Sequence, residues 1–89
     1  MELYIFPTPN GGLVIFNPRP SRYSHEIFCD LINLLKKRLR GRFHQNLYDS
    51  QCGWEWFCSE DQLLKLIKTH NPVTEVFLES REFIPHDTI

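Results

Sequence analysis

Residues Arg42 to Cys58 read RFHQNLYDSQCGWEWFC: two aromatic-rich runs of alternating character around Asp49-Ser50-Gln51-Cys52-Gly53, a cluster of turn formers. Alternation on both sides of such a cluster predicts a β-hairpin with a short loop. A helical pattern leads into this hairpin and another leads out of it. The centre of the chain is therefore helix, hairpin, helix, and everything else must pack around that unit.

Glu2 to Phe6 alternates as a strand, with Leu3 and Ile5 facing one way and Tyr4 and Phe6 the other. Pro7-Thr8-Pro9-Asn10-Gly11-Gly12 stops it, the prolines by blocking the ladder and Asn-Gly-Gly by supplying positive φ. Leu13 to Phe16 is continuously apolar, as expected of a strand buried on both faces. Asn17-Pro18-Arg19-Pro20 excludes helix interior, so Ser21 or Ser24 is the natural N-cap of a helix running to about Arg40. Phe28, Leu31, Ile32, Leu35 and Leu39 share one face of that helix, widened by Ile27 and Leu34. Gly41 is expected at C′ in the left-handed conformation. Ser59 and Gln62 match a capping box for a second helix reaching His70, where Asn71-Pro72 ends it. Val73 to Ile84 supplies the last strand.

The order β-β-α-β-β-α-β contains βαββαβ after its first strand. That is the split βαβ arrangement of ferredoxin-like folds, here preceded by an extra N-terminal strand. The expected architecture is α+β: one domain over residues 1–89, an antiparallel sheet, and both helices on one face. The same topology belongs to the RNA recognition motif, but the likeness ends there. That family's aromatic octapeptide sits on the third strand, here Trp54-Glu55-Trp56-Phe57-Cys58, and does not match.

Period two assigns Leu3, Ile5, Phe43, Leu47, Trp54, Trp56, Cys58, Val76 and Leu78 to the helix side. Tyr4, Phe6, His44, Asn46, Tyr48, Glu55, Phe57, Glu75, Phe77 and Glu79 then fall on the other side, expected to be open. Aromatic rings among polar groups on an uncovered face are what interface centres look like. Tyr4, Phe6, His44, Tyr48, Phe57 and Phe77 are therefore candidate partner-binding residues, for a foreign protein or for self-association as a homodimer. The competing reading is that the tail or a loop covers this face.

Net charge is −1, but it is unevenly spread. Residues 1–42 hold seven Lys/Arg and three acids; residues 43–89 hold three Lys/Arg and eight acids. Lys36, Lys37, Arg38, Arg40 and Arg42 fall within seven residues and could neutralise phosphates, with His44 and Tyr48 near enough to stack bases. Nucleic acid is thus the alternative partner. The plainer reading is a basic helix end that complements the helix dipole.

The remaining chemistries find little support. Three cysteines, an odd number, argue against a closed disulfide framework and for reduced thiols in a cytoplasmic setting. No apolar run approaches the roughly 20 residues that span a bilayer, and Glu2-Leu3-Tyr4-Ile5-Phe6 does not resemble a signal peptide. His25-Glu26 begins like a zincin helix, but Cys29 stands where the second histidine belongs, and no metal or cofactor is expected. Cys52 with His44 is the only nucleophile–base pairing worth naming, and no catalytic motif accompanies it. The expected function is a small non-enzymatic regulator, inhibitor or assembly subunit acting by protein contact.

Overall fold

The computed structural model describes residues 1–18, 21–48, 51–70, 73 and 75–83, with the backbone alone at 45–48 and 51–52. Its elements are β1 (Glu2–Pro7), β2 (Leu13–Phe16), α1 (Arg22–Arg38), β3 (Gly41–Tyr48), β4 (Gln51–Trp56), α2 (Glu60–Lys68) and β5 (Glu75–Leu78). Among the described residues, no helix is long and apolar enough to cross a membrane.

The N-terminal hairpin closes as its composition requires. Tyr4 pairs with Phe16 and Pro7 with Leu13, antiparallel. Between them Thr8 N donates to Gly12 O at 3.0 Å, and Gly11 takes φ +82°, where a side chain would be strained. Ser21 and Ser24 are both used at the start of α1. Ser21 Oγ accepts from Ser24 N, and Ser24 Oγ accepts from Ser21 N, a reciprocal box with serine at N3. Ser59 caps α2 by accepting from Gln62 N at 3.1 Å.

Gly41 corrects the expected left-handed helix end. The chain leaves α1 extended at Leu39 (φ −126°, ψ 154°), and Gly41 opens β3 instead. Its lack of a side chain serves packing: a Cβ there would lie 2.6 Å from the ring of Trp56.

The sheet has five strands in the order β3-β4-β2-β1-β5. β1–β2, β2–β4 and β3–β4 are antiparallel, whereas β1–β5 is parallel, so the sheet is mixed. This corrects the antiparallel, ferredoxin-like expectation. The extra strand does not sit outside a βαββαβ unit; β1 lies inside the sheet, between β2 and β5. Following the directions, β2 and β3 run parallel with β4 between them. β4 and β5 also run parallel, with two strands between. Each helix is thus a crossover between parallel strands, which places both on the same side if both have the usual right hand. The core agrees. Leu3, Ile5, Leu13, Ile15 and Trp56 of the sheet pack with Phe28, Leu31, Ile32 and Leu35 of α1 and with Leu63 and Ile67 of α2.

Position within the sheet explains the remaining departures. β2 is central and is buried from Leu13 to Ile15, both faces included. Phe43 and Leu78 lie on the helix-side parity but on the two edge strands, and they stay 51% and 52% exposed. Trp54, Cys58 and Val76 are partly buried against the core, and the Leu47 side chain falls outside the described residues. β5 is shorter than the expected 73–84. After Leu78, Glu79 N still donates to Ile5 O at 2.9 Å, and Phe83 N then donates to Pro7 O at 2.8 Å.

Candidate functional site

The far side of the sheet is not uniformly open. His44 and Glu55 are fully buried there, as is Val14, and Phe6 is only 7% exposed. Glu55 is the hub of this region. Its carboxyl accepts from His44 Nε2 (2.9 Å), from Asn10 Nδ2 (3.3 Å) and from the Thr8 hydroxyl. Thr8 Oγ1 in turn accepts from Gly12 N at 3.0 Å. A buried carboxyl is tolerable only when its lone pairs are satisfied, and here they are. Gly12 permits the approach, since a Cβ at that position would lie 2.5 Å from Glu55 Cγ. The network ties the β1–β2 turn to β4 and, through His44, to β3, which pairs with neither β1 nor β2.

This overturns two expectations. His44 and Phe6 are not presented to a partner, and Glu55 does not face solvent. The group also has no exposed member at its centre: with His44 and Glu55 both sealed, a substrate cannot reach them in this conformation. His44 Nε2 is bonded to Glu55, and the Cys52 side chain lies outside the described residues. Burial pushes the Cys58 thiol up, away from nucleophilic character. Cys29 and Cys58 are free thiols. Cys29 Sγ stands 3.6 Å from His25 Nε2 on α1, but no third metal-ligating side chain joins any such pair among the described residues.

The aromatic residues of the far side divide into two groups. Tyr4 lies 4.9 Å from Phe77 and 6.4 Å from Phe6, ring centre to ring centre. Phe16 and Phe83 extend this row through Phe6, and Arg81 stands over the Phe6 ring. The segment after β5 therefore covers the Phe6 end and leaves Phe77 37% exposed. Phe57 belongs to the opposite end of the sheet, where the Arg40 guanidinium sits 5.2 Å from its ring centre. Tyr48 is described in backbone only. Alternation does not single out Phe16 or Phe83, because it makes β2 uniformly buried and the chain after residue 80 strand and tail.

The five cations of the alternative site are all exposed, and none forms an ion pair among the described residues. Lys36 Nζ lies 5.2 Å from the Trp54 ring, whose other neighbours are Trp56, stacked at 5.4 Å, and Phe43, edge-on at 5.6 Å. A groove of about 260 Å³ between α1 and β4 is lined by Phe28, Ile32, Lys36 and Trp54, among others. At the other edge, Leu64, Ile67, Val73, Val76 and Leu78 line an apolar groove of about 380 Å³ beside β5.

The chain matches no family model, no curated protein and no solved structure.

Proposed function

We propose that this chain is a non-enzymatic protein-interaction module, a regulator, inhibitor or assembly subunit, that meets its partner at the β5 edge through Tyr4, Phe77 and Leu78. One observation carries the reading: β5 is an edge strand that exposes large apolar side chains on both faces, Phe77 and Leu78. Edge strands are usually short, charged or covered, because an unpaired edge is a template for another strand. Here the strand is short, but its centre is apolar. A preformed Tyr4–Phe77 ring pair on one face and an apolar groove on the other are suited to the side chains of an added strand. Affinity capture from host extract is the test. Wild-type protein should retain a partner at high salt, and Leu78→Asp and Phe77→Ser should both lose it. Equal retention by the variants would overturn the assignment.

A second reading, single-stranded nucleic acid, is favoured by exposed cations that form no ion pair among the described residues, two of them beside aromatic rings: Lys36 at Trp54 and Arg40 at Phe57. Under it, labelled single-stranded RNA binds with steep salt dependence. Changing Lys36, Lys37 and Arg40 to Gln should then flatten the salt slope by about three. Salt-independent or absent binding rejects it.

A further inference from the structure

The two edges of the sheet differ in charge as well as position. Around β3 stand Lys36, Lys37, Arg38, Arg40 and Arg42, all exposed. Around β5 stand four acids, Glu2, Glu75, Glu79 and Glu82, against two described cations, Arg81, 3.9 Å from Glu79, and Lys68, which lines the groove beside Val76 and Leu78; Glu2 and Glu75 are register neighbours. Each edge also exposes one apolar side chain on the helix side, Phe43 on β3 and Leu78 on β5.

These features match one another. β3 runs parallel to β2 and β5 runs antiparallel to it, so a second copy shifted along the sheet brings its β3 antiparallel to β5. Opposed residues in an antiparallel pair share a face. With Phe43 opposite Leu78, both apolar side chains fall on the helix side, at the mouth of the groove lined by Leu64 and Val76. Arg42 then stands opposite Glu79 on the far side. The usable lengths agree too: β5 has four residues, and β3 is regular from Gly41 to His44 before its register shifts. Pairing β5 antiparallel with a second β5 about Phe77 would instead set Glu75 of each copy opposite Glu79 of the other.

We propose that the acidic β5 edge of one chain takes the basic β3 edge of a second copy, joining the two sheets head to tail. The inference rests on the reading of β5 as the contact edge, and it commits that edge to self-assembly. A heterologous contact of this kind leaves one free β3 and one free β5 on every assembly, so growth continues unless the rotation closes a ring. A contact of four residues per strand is small, so assembly is weak and concentration-dependent.

Sedimentation velocity tests it, with variants first checked for folding by circular dichroism. The wild-type average mass should climb with concentration beyond a dimer and fall with added salt. Phe43→Asp and Leu78→Asp should each be monomeric alone, yet their equimolar mixture should form a one-to-one dimer, because each supplies the edge the other lacks. Should either variant fail to fold, surface charges give the same answer: Arg42→Glu should dissociate the chains, and Arg42→Glu with Glu79→Lys should restore assembly. A Phe43→Asp protein that still dimerises would show a symmetric contact and overturn the proposal, as would a wild type that stays monomeric throughout. In the monomeric case, capture of a foreign partner that Leu78→Asp abolishes would leave the proposed function standing, and capture indifferent to Leu78→Asp would remove both.

Discussion

Replacing Glu55 by alanine is expected to lower the stability of this chain by about 3–5 kcal/mol, the range for breaking a buried ionisable pair by deleting one partner. The side chain is fully buried and accepts from three donors, two on the β1–β2 loop and one on β3. Its removal leaves His44 Nε2, the Thr8 hydroxyl and the Asn10 amide without that acceptor, each a desolvated group costing on the order of 1–3 kcal/mol if nothing replaces the bond. Urea unfolding measures the effect. The same experiment on His44→Ala and on the double variant should show strong non-additivity, because the second deletion removes a bond already lost. Additive losses, or a Glu55→Ala midpoint close to wild type, would mean the network does not fasten the β1–β2 turn.

That network lies beyond what alternation along a strand can show, for a physical reason. Period two placed His44 and Glu55 together on the side away from the helices, and the structure has them in contact there. Alternation identifies a face; it does not say what lies over it. The available signal was a glutamate between two tryptophans, Trp54-Glu55-Trp56, a poor strand former at the centre of a strong strand. Asn10-Gly11-Gly12 forms the turn its composition predicts, and Gly12 also makes room for the Glu55 side chain from another hairpin. Most local features are legible: the Ser21 and Ser59 caps, the apolar stripe from Phe28 to Leu35, and the central burial of Leu13 to Ile15, though not the extended exit from α1 at Leu39 and Gly41. The strand order is not. A hairpin pattern pairs β1 with β2, but it does not choose which edge of β2 receives β1 and which receives β4. Nothing within β5 declares that it will run parallel to β1, since that pairing depends on a crossover through α2. The same gap misplaced the open surface. Phe6 and Phe77 carry the same parity, yet the segment ending at Phe83 covers one and leaves the other.

Gly41→Ala is expected to cost about 3 kcal/mol, the upper part of the usual range for overpacking a core. Its Cβ would stand 2.6 Å from Cε3 and Cζ3 of Trp56 and 3.1 Å from Cε3 of Trp54. Neither ring yields easily. Trp56 is fully buried, and the two indoles are stacked 5.4 Å apart at an interplanar angle of 11°. The methyl group therefore has to be accommodated by moving β3 away from β4, which weakens the pairing at Gly41–Trp56 and Phe43–Trp54 together. Gly11→Ala is the informative contrast. A Cβ there meets nothing within 4 Å, so only the positive φ is penalised, at about 1 kcal/mol. Denaturant midpoints should place Gly41→Ala well below Gly11→Ala, with a shift in tryptophan emission at native conditions for the former alone. Equal midpoints and unchanged emission would show that β3 can slide off the indole pair without cost. In that case Gly41 would be an ordinary strand residue and not the position that lets β3 lie against Trp56.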